Sequence, residues 1–325
     1  MKNFWKDKKV LITGASGFIG SHTIERLLEE DAIITAAVSP ATSIKKTKQS
    51  LPYKSKKLTI KKVDLLRFDQ CLLITKGQNI VLNFAALDGG AYFKMQYPAK
   101  IFHANSLITL NMLEASNRNN IQRFLLTSSI EVYPGNLPSR VTEKYGFREN
   151  LDEKTEGYAW SKRLAEIAAK MYYKEHGLQT AIARLGNVYG PRDVAGIEKN
   201  RVIPTFINNS LQGKDIIITG GGLQERSFLY ISDLVEGLLS LIEKYAVADP
   251  VNIASQEYIT VKQLAQLVIA LTKKNNKVNF EKGDIIFFRK RRISINKARK
   301  VIGFKEKYSL QAGLEKTIDY FKENL

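Results

Sequence analysis

Residues 8–30 read KKVLITGASGFIGSHTIERLLEE, and the fold turns on how that stretch divides. VLIT is too short for a helix and suits a buried strand. Gly14, Gly17 and Gly20 follow at three-residue intervals, and SHTIERLLEE then carries apolar residues at helical spacing. Glycines placed so let the backbone turn tightly and come close to a pyrophosphate, whose charge the first-turn amides and positive end of the helix stabilise. Gly14, Gly17, Phe18, Ile19 and Gly20 are therefore expected to bind a dinucleotide; a merely structural turn is the alternative. The basic start and apolar run resemble a secretion signal only briefly, since the run breaks after four residues.

Working outward, short apolar strands alternate with helical spacing: AIITAAV, KLTIKKVDL, NIVLNFAA, RFLLTSS and TAIARLGNVYG, with IFHANSLITLNMLEAS among the intervals. That order predicts an α/β doubly wound parallel sheet. After residue 190 the pattern loosens into Gly-rich and basic segments and ends in TVKQLAQLVIALTKK and SLQAGLEKTIDYFKENL, which predicts a smaller α+β lobe. The expected division is a dinucleotide-binding domain over 1–187 with a return segment near 223–254, and a substrate lobe over 188–222 and 255–325. A chain of 325 residues accommodates both, and its 44% hydrophobic content suits a globular enzyme.

Cys71 is the only cysteine, which rules out an internal disulfide and a multi-thiolate metal site and agrees with a reducing cytoplasm; no metal is expected. No run approaches the roughly 20 apolar residues that span a membrane. The net charge of +18 is spread from Lys2 to Lys322, denser in 45–62 and in FFRKRR. Without a recognisable module on one face it reads as a solvated surface that attracts phosphorylated small molecules rather than nucleic acid.

Cofactor type is read from the second strand. An NAD enzyme commonly carries an acid there for the ribose 2′-OH. Here Ser39 stands at the strand end with Lys45 and Lys46 beyond it, so a 2′-phosphate is tolerated and NADP is favoured over NAD. By position, Asp64 and Leu65 line the adenine edge and Ala85, in NFAA, the middle of the cofactor. The chemistry is expected at Y158-A-W-S-K162: a spacing of four puts phenol and ammonium on one helix face, so that Lys162, assisted by a nicotinamide cation, can lower the Tyr158 pKa and make it a base for a sugar hydroxyl. Ser128 and Ser129 lie about 30 residues upstream. Glu131, two residues past Ser129, shares its face if the strand continues, with Ile130 turned to the core.

GASGFIG, NFAA, SSIEVYP, YAWSK, RLGNVYGPR and QERSFLYISDL together resemble the extended short-chain dehydrogenase/reductases that act on nucleotide sugars, over nearly the whole chain. LDGGAYFKMQYPAKIFHANSLITLNMLEA and GGLQERSF most resemble GDP-fucose synthase and GDP-mannose 3,5-epimerase. The resemblance implies a triad of Ser129, Tyr158 and Lys162, with Ser129 on the C4 oxygen. It implies Asn187 and Arg226, and more weakly Arg192, at the sugar diphosphate. A guanidinium fork suits phosphate on its own chemistry. Glu131 stands where those two subfamilies carry a proton-moving cysteine, and Arg201 where they carry its His or Lys partner. Arginine is a poor proton donor, so the cysteine-based epimerisation does not carry over. The 4,6-dehydratases and a sugar-acid decarboxylase group share the Glu, but precede it with Asp or Ser rather than Ile130. The expectation is an NAD(P)-dependent epimerase or reductase working by hydride transfer at C4 of an NDP-sugar, a GDP-sugar by resemblance, as a homodimer. A dehydratase or other Glu131-assisted reaction, and a non-catalytic dinucleotide sensor, are the alternatives.

Overall fold

A computed structural model describes residues 4–43, 45, 47, 50–51, 55–134, 137, 140–147, 151, 155–193, 201–281 and 292–324. Seven parallel strands form the main sheet: β1 (Lys9–Thr13), β2 (Ile33–Val38), β3 (Leu58–Lys62), β4 (Ile80–Asn83), β5 (Arg123–Ser129), β6 (Gln179–Leu185) and β7 (Val251–Ile253). Their order across the sheet is β7-β6-β5-β4-β1-β2-β3. The chain winds outward in both directions from β1 and β4, which gives a Rossmann-like α/β fold and opens a crevice at the carboxyl ends of those two strands. The central strands are near-continuous apolar runs because helices cover both faces; every residue of β4 is buried.

One face is covered by the helices Pro98–Arg118 and Glu156–His176, where Met112, Leu113, Ala165 and Ala169 are buried. The other carries Phe18–Glu29 and Ile231–Lys244, whose Ile24, Leu27, Leu234 and Leu238 pack in a second apolar layer. Small residues on Glu156–His176 bring it close to its neighbours: Gly157 stands against the Pro98 carbonyl with no room for a Cβ. That approach sets the height of Tyr158 over the sheet.

The expected strand TAIARLGNVYG is broken. β6 ends at Leu185, and Asn187–Tyr189 leaves the sheet to pair with Phe228–Tyr230 of the strand Glu225–Tyr230. Gly186 marks the break, where a Cβ would meet Ala254 Cβ at 2.8 Å. Beyond it, Glu225–Ser227 pairs with Tyr258–Thr260, and Ile216–Thr219 with Val278–Glu281. The two C-terminal amphipathic stretches are the helices Val261–Thr272, started by a Thr260–Gln263 capping box, and Leu310–Asn324. Among the described residues no helix is long and apolar enough to cross a membrane.

Candidate active site

The glycine turn sits at the β1/β4 crevice. Gly14 has φ +61°, and a Cβ there would meet Ala85 N and Phe84 C at 2.9 Å, so only glycine lets the turn lie against the end of β4. Thr13 Oγ1 ties the two strand ends, donating to Asn83 Oδ1 at 2.6 Å and accepting from Ala85 N at 3.1 Å. Gly17 N donates to Gly14 O at 2.9 Å, and the helix from Phe18 starts without a side-chain cap or an acid in its first turn. A helix end left open at a switch-point crevice, against backbone with no side chain between, fits a dinucleotide pyrophosphate. Phe18 and Ile19 are half-buried against the core beside it.

Toward the adenine side the assignments are weaker in chemistry. Asp64 Oδ1 accepts from Leu66 N at 3.0 Å, so that oxygen serves a local turn, and the Leu65 carbonyl takes Asn111 Nδ2 at 3.0 Å. Ser39 is exposed, with Oγ accepting from Ala41 N at 3.3 Å, and Lys45 is exposed. Lys46 lies outside the described residues, as does FFRKRR up to Arg292.

Ser129 is the last residue of β5, and the strand does not continue as expected. Residues Ile130–Val132 form a 3₁₀ turn in which Ser129 Oγ accepts from Glu131 N at 3.1 Å. The turn, not strand alternation, sends Glu131 into the cleft, while Ile130 packs against the core. The two serines part company: Ser128 Oγ donates to buried Glu166 at 2.6 Å, within a network in which Arg184 grips Glu166 at 2.8 and 2.7 Å. Ser129 instead hydrogen-bonds Tyr158.

Tyr158 and Lys162 share a face of Glu156–His176, with Lys162 Nζ 5.5 Å from the ring centroid and donating to Thr127 O at 2.9 Å. Burial pushes the Lys162 pKa down to about 8, with the nearby Lys94 charge acting the same way and Asp88 and Glu131 offsetting part of it. The protein's own groups by themselves do not lower the Tyr158 pKa. Burial, then Asp88 and Glu131, raises it, opposed by Lys94 and the Ser129 hydrogen bond.

Lys94 and Asp88 were passed over in the sequence. Lys94 Nζ lies 3.7 Å from the Tyr158 ring centroid, 2.8 Å from Glu131 Oε1 and 3.2 Å from Asp88 Oδ1. Burial alone would lower its pKa; Glu131 and Asp88 outweigh that and hold it above the ordinary lysine range. The only signal was two opposite charges six residues apart in the otherwise uncharged LDGGAYFK.

Arg201 extends this chain, pairing with Asp193 at 3.0 Å and Asp88 at 3.7 Å. Arg192 is already held in a fork by Glu25 at 2.7 and 2.6 Å, so a phosphate there would have to displace that carboxylate. Asn187 Nδ2 donates to Ser227 O at 3.1 Å; half-buried Arg226 donates to Glu225 O at 2.8 Å, with burial lowering its pKa. Among the described residues no group of three or more His, Cys, Asp or Glu could hold a metal ion.

A Rossmann-like sheet, a glycine turn open to a pyrophosphate, and a Ser-Tyr-Lys constellation beside it define a dinucleotide-dependent enzyme. The chain belongs to the NAD dependent epimerase/dehydratase family, whose model matches residues 10–254. It is 32% identical over 315 residues to UDP-glucuronic acid decarboxylase 6 of Arabidopsis thaliana, covering 96% of this chain and 88% of that one. It is 28% identical over 327 residues to a dTDP-4-dehydro-6-deoxy-D-allose reductase of Streptomyces sp, covering 98% and 97%. A solved UDP-glucuronic acid 4-epimerase variant from Bacillus cereus, in complex with UDP-4-deoxy-4-fluoro-glucuronic acid and NAD, superposes with a TM-score of 0.84 at 25% identity, covering 98% and 100%. These relatives are named for UDP- and dTDP-sugars, so they do not carry the narrower resemblance to GDP-sugar enzymes.

Proposed function

We propose that the protein acts on a nucleotide diphosphate sugar by reversible oxidation at C4, leading to epimerisation or reduction. The carrying observation is that Ser129, Tyr158, Lys162 and Glu131 meet in one cleft at the end of β5, next to the glycine turn. Bound NAD would supply the hydride acceptor and donor. Tyr158 takes the proton from O4 while the Ser129 hydroxyl holds that oxygen, and Lys162 keeps a positive charge within 5.5 Å of the ring. Glu131 removes a proton from a carbon next to C4, where a ketone makes C–H bonds acidic. Asn187 and Arg226 approach the diphosphate from the lobe; Arg192 and Arg201 take part only by exchanging their present carboxylates.

Uracil or thymine is favoured as the base over guanine by the relatives' names. NAD is supported by the family description; the NADP reading rests on Ser39, Lys45 and Lys46. Dehydration is the weaker reading. It needs a proton donor for the departing hydroxyl, and Ile130 packs on the core where such a donor would stand. The division of labour that accompanies this reading gives the cofactor residues 1–187 with 223–254, and the sugar 188–222 with 255–325. A homodimer is supported by an exposed apolar groove lined by Pro98, Phe102, Trp160, Leu164 and Ile167 across two helices of one face. A cytoplasmic setting accords with a sole cysteine whose thiol burial pushes up to about 12.

The test is incubation with NAD and a panel of UDP- and dTDP-sugars in deuterated water, followed by mass spectrometry and NMR. Tyr158→Phe is expected to keep the fold and lower turnover by about 10² to 10⁴. Glu131→Gln should abolish deuterium entry at C3 or C5 and spare the C4 step. Unchanged turnover in Tyr158→Phe refutes the mechanism; a wild type that admits no deuterium removes Glu131 as the carbon base.

A further inference from the structure

The Lys94 side chain is 9% exposed and touches three groups at once: two carboxylates and the face of the Tyr158 ring. Its position is built in. Asn105, buried on Pro98–Arg118, clamps the preceding loop by accepting from Leu87 N at 2.7 Å and donating to Leu87 O at 3.1 Å. The short helix Ala91–Gln96 then carries Lys94 back over the cleft. Glu131 Oε1 accepts from Lys94, whereas Glu131 Oε2 is buried with no hydrogen-bond partner. A buried carboxylate oxygen without a donor is costly to leave so, which makes the hold on Oε1 the bond that fixes this side chain.

We infer that Lys94 is a positioning residue that holds Glu131 by Oε1, and that its ammonium offsets the two carboxylates facing Tyr158 so that the phenol can ionise. The inference rests on the reading of Tyr158 as the base.

The physical need is plain from the neighbours. The groups facing Tyr158 are Asp88, Glu131 and Lys94 across the cleft, the Ser129 hydroxyl at the end of β5, and Lys162 one turn along its own helix. Proton removal from Tyr158 puts a third negative charge beside Asp88 and Glu131, which they oppose. A cation on the ring face, where the phenolate charge is partly delocalised, counters them. Lys162 cannot serve alone: it is 5.5 Å from the ring and bound to the Thr127 carbonyl. One ammonium thus lets a carboxylate and a phenolate work in the same cleft.

The experiment needs neither substrate nor cofactor. Protein carrying 3,5-difluorotyrosine, whose phenol titrates well below that of tyrosine, is followed by ¹⁹F NMR against pH, with Tyr158→Phe assigning the resonance. In Lys94→Met the Tyr158 titration is expected to move up by ~1 pH unit or more, and in Lys94→Arg to stay within ~0.5 of wild type. Lys94→Met strands two carboxylates and is the variant most prone to unfold. The same substitution made in the Glu131→Gln background relieves one of them and should still raise the titration relative to Glu131→Gln alone. Denaturation midpoints across that four-member cycle should be non-additive, Lys94→Met costing less once Glu131 is neutral. Equal titration of Tyr158 with and without Lys94, in either background, overturns the inference. That failure is distinct from failure of Tyr158 as the base, which unchanged turnover in Tyr158→Phe would reveal.

Discussion

Lys162→Met tests whether this lysine is an ordinary surface cation or a strained buried one. The folded chain holds its ammonium away from water, above the sheet at the Thr127 carbonyl. Its pKa falls from the usual 10.5 to about 8, chiefly through burial. A drop of about 2.5 pH units corresponds to about 3 kcal/mol. The sign follows from proton counting. Between about 8 and 10.5 the unfolded chain keeps a proton that the folded chain has released, so stability rises with pH across that window and is flat below it. Methionine fills similar volume without titrating. Urea denaturation of wild type and variant, followed by tryptophan fluorescence from pH 7 to 10.5, should therefore show the gap moving toward wild type by about 3 kcal/mol over the window. Parallel stability curves would refute the argument. They would mean that Asp88 and Glu131 compensate the ammonium fully in the folded state.

Two further outcomes follow from the same geometry. Ser39→Asp places a carboxylate at the end of β2, and the ratio of NADP to NAD affinity should fall by tenfold or more, measured by calorimetry, through contact of like charges; an unchanged ratio means this position does not face the ribose. Trp160→Glu puts a charge into the apolar groove between Pro98–Arg118 and Glu156–His176, and light scattering should show a dimer giving way to monomer, whereas an identical mass in both proteins removes that groove as the dimer face.

What the sequence made legible was local. The glycine turn, its strand and its helix lie within 22 residues, and Tyr158 and Lys162 lie within one helical turn, so spacing alone carries their geometry. The break at Gly186 was hidden because both halves of TAIARLGNVYG are strand; only the partner changes, from β5 and β7 to Phe228–Tyr230. The direction of Glu131 was reached by the wrong route, since strand alternation was assumed where a 3₁₀ turn closes on the Ser129 hydroxyl. Arg192 reads as a phosphate ligand until the fold brings Glu25, 167 residues away, into its fork. Lys94 and Asp88 escaped for the same reason. Their meaning comes from a loop that Asn105 turns back over the cleft, and nothing in LDGGAYFK announces that return.

The charges assembled by that loop bear on which sugar the cleft accepts. Among the described residues, Lys94 and Arg201 face three carboxylates, those of Glu131, Asp88 and Asp193, and both cations are already paired. Lys162, one helical turn from Tyr158, adds a third cation within electrostatic reach of Asp88 and Glu131, so cations and carboxylates balance across the cluster and it does not by itself exclude a uronic acid. With Lys94 on its Oε1, Glu131 stands ion-paired beside Tyr158, and deuterium entry at C3 or C5 in wild type but not in Glu131→Gln is the measurement that separates a carbon base from a carboxylate that only balances charge.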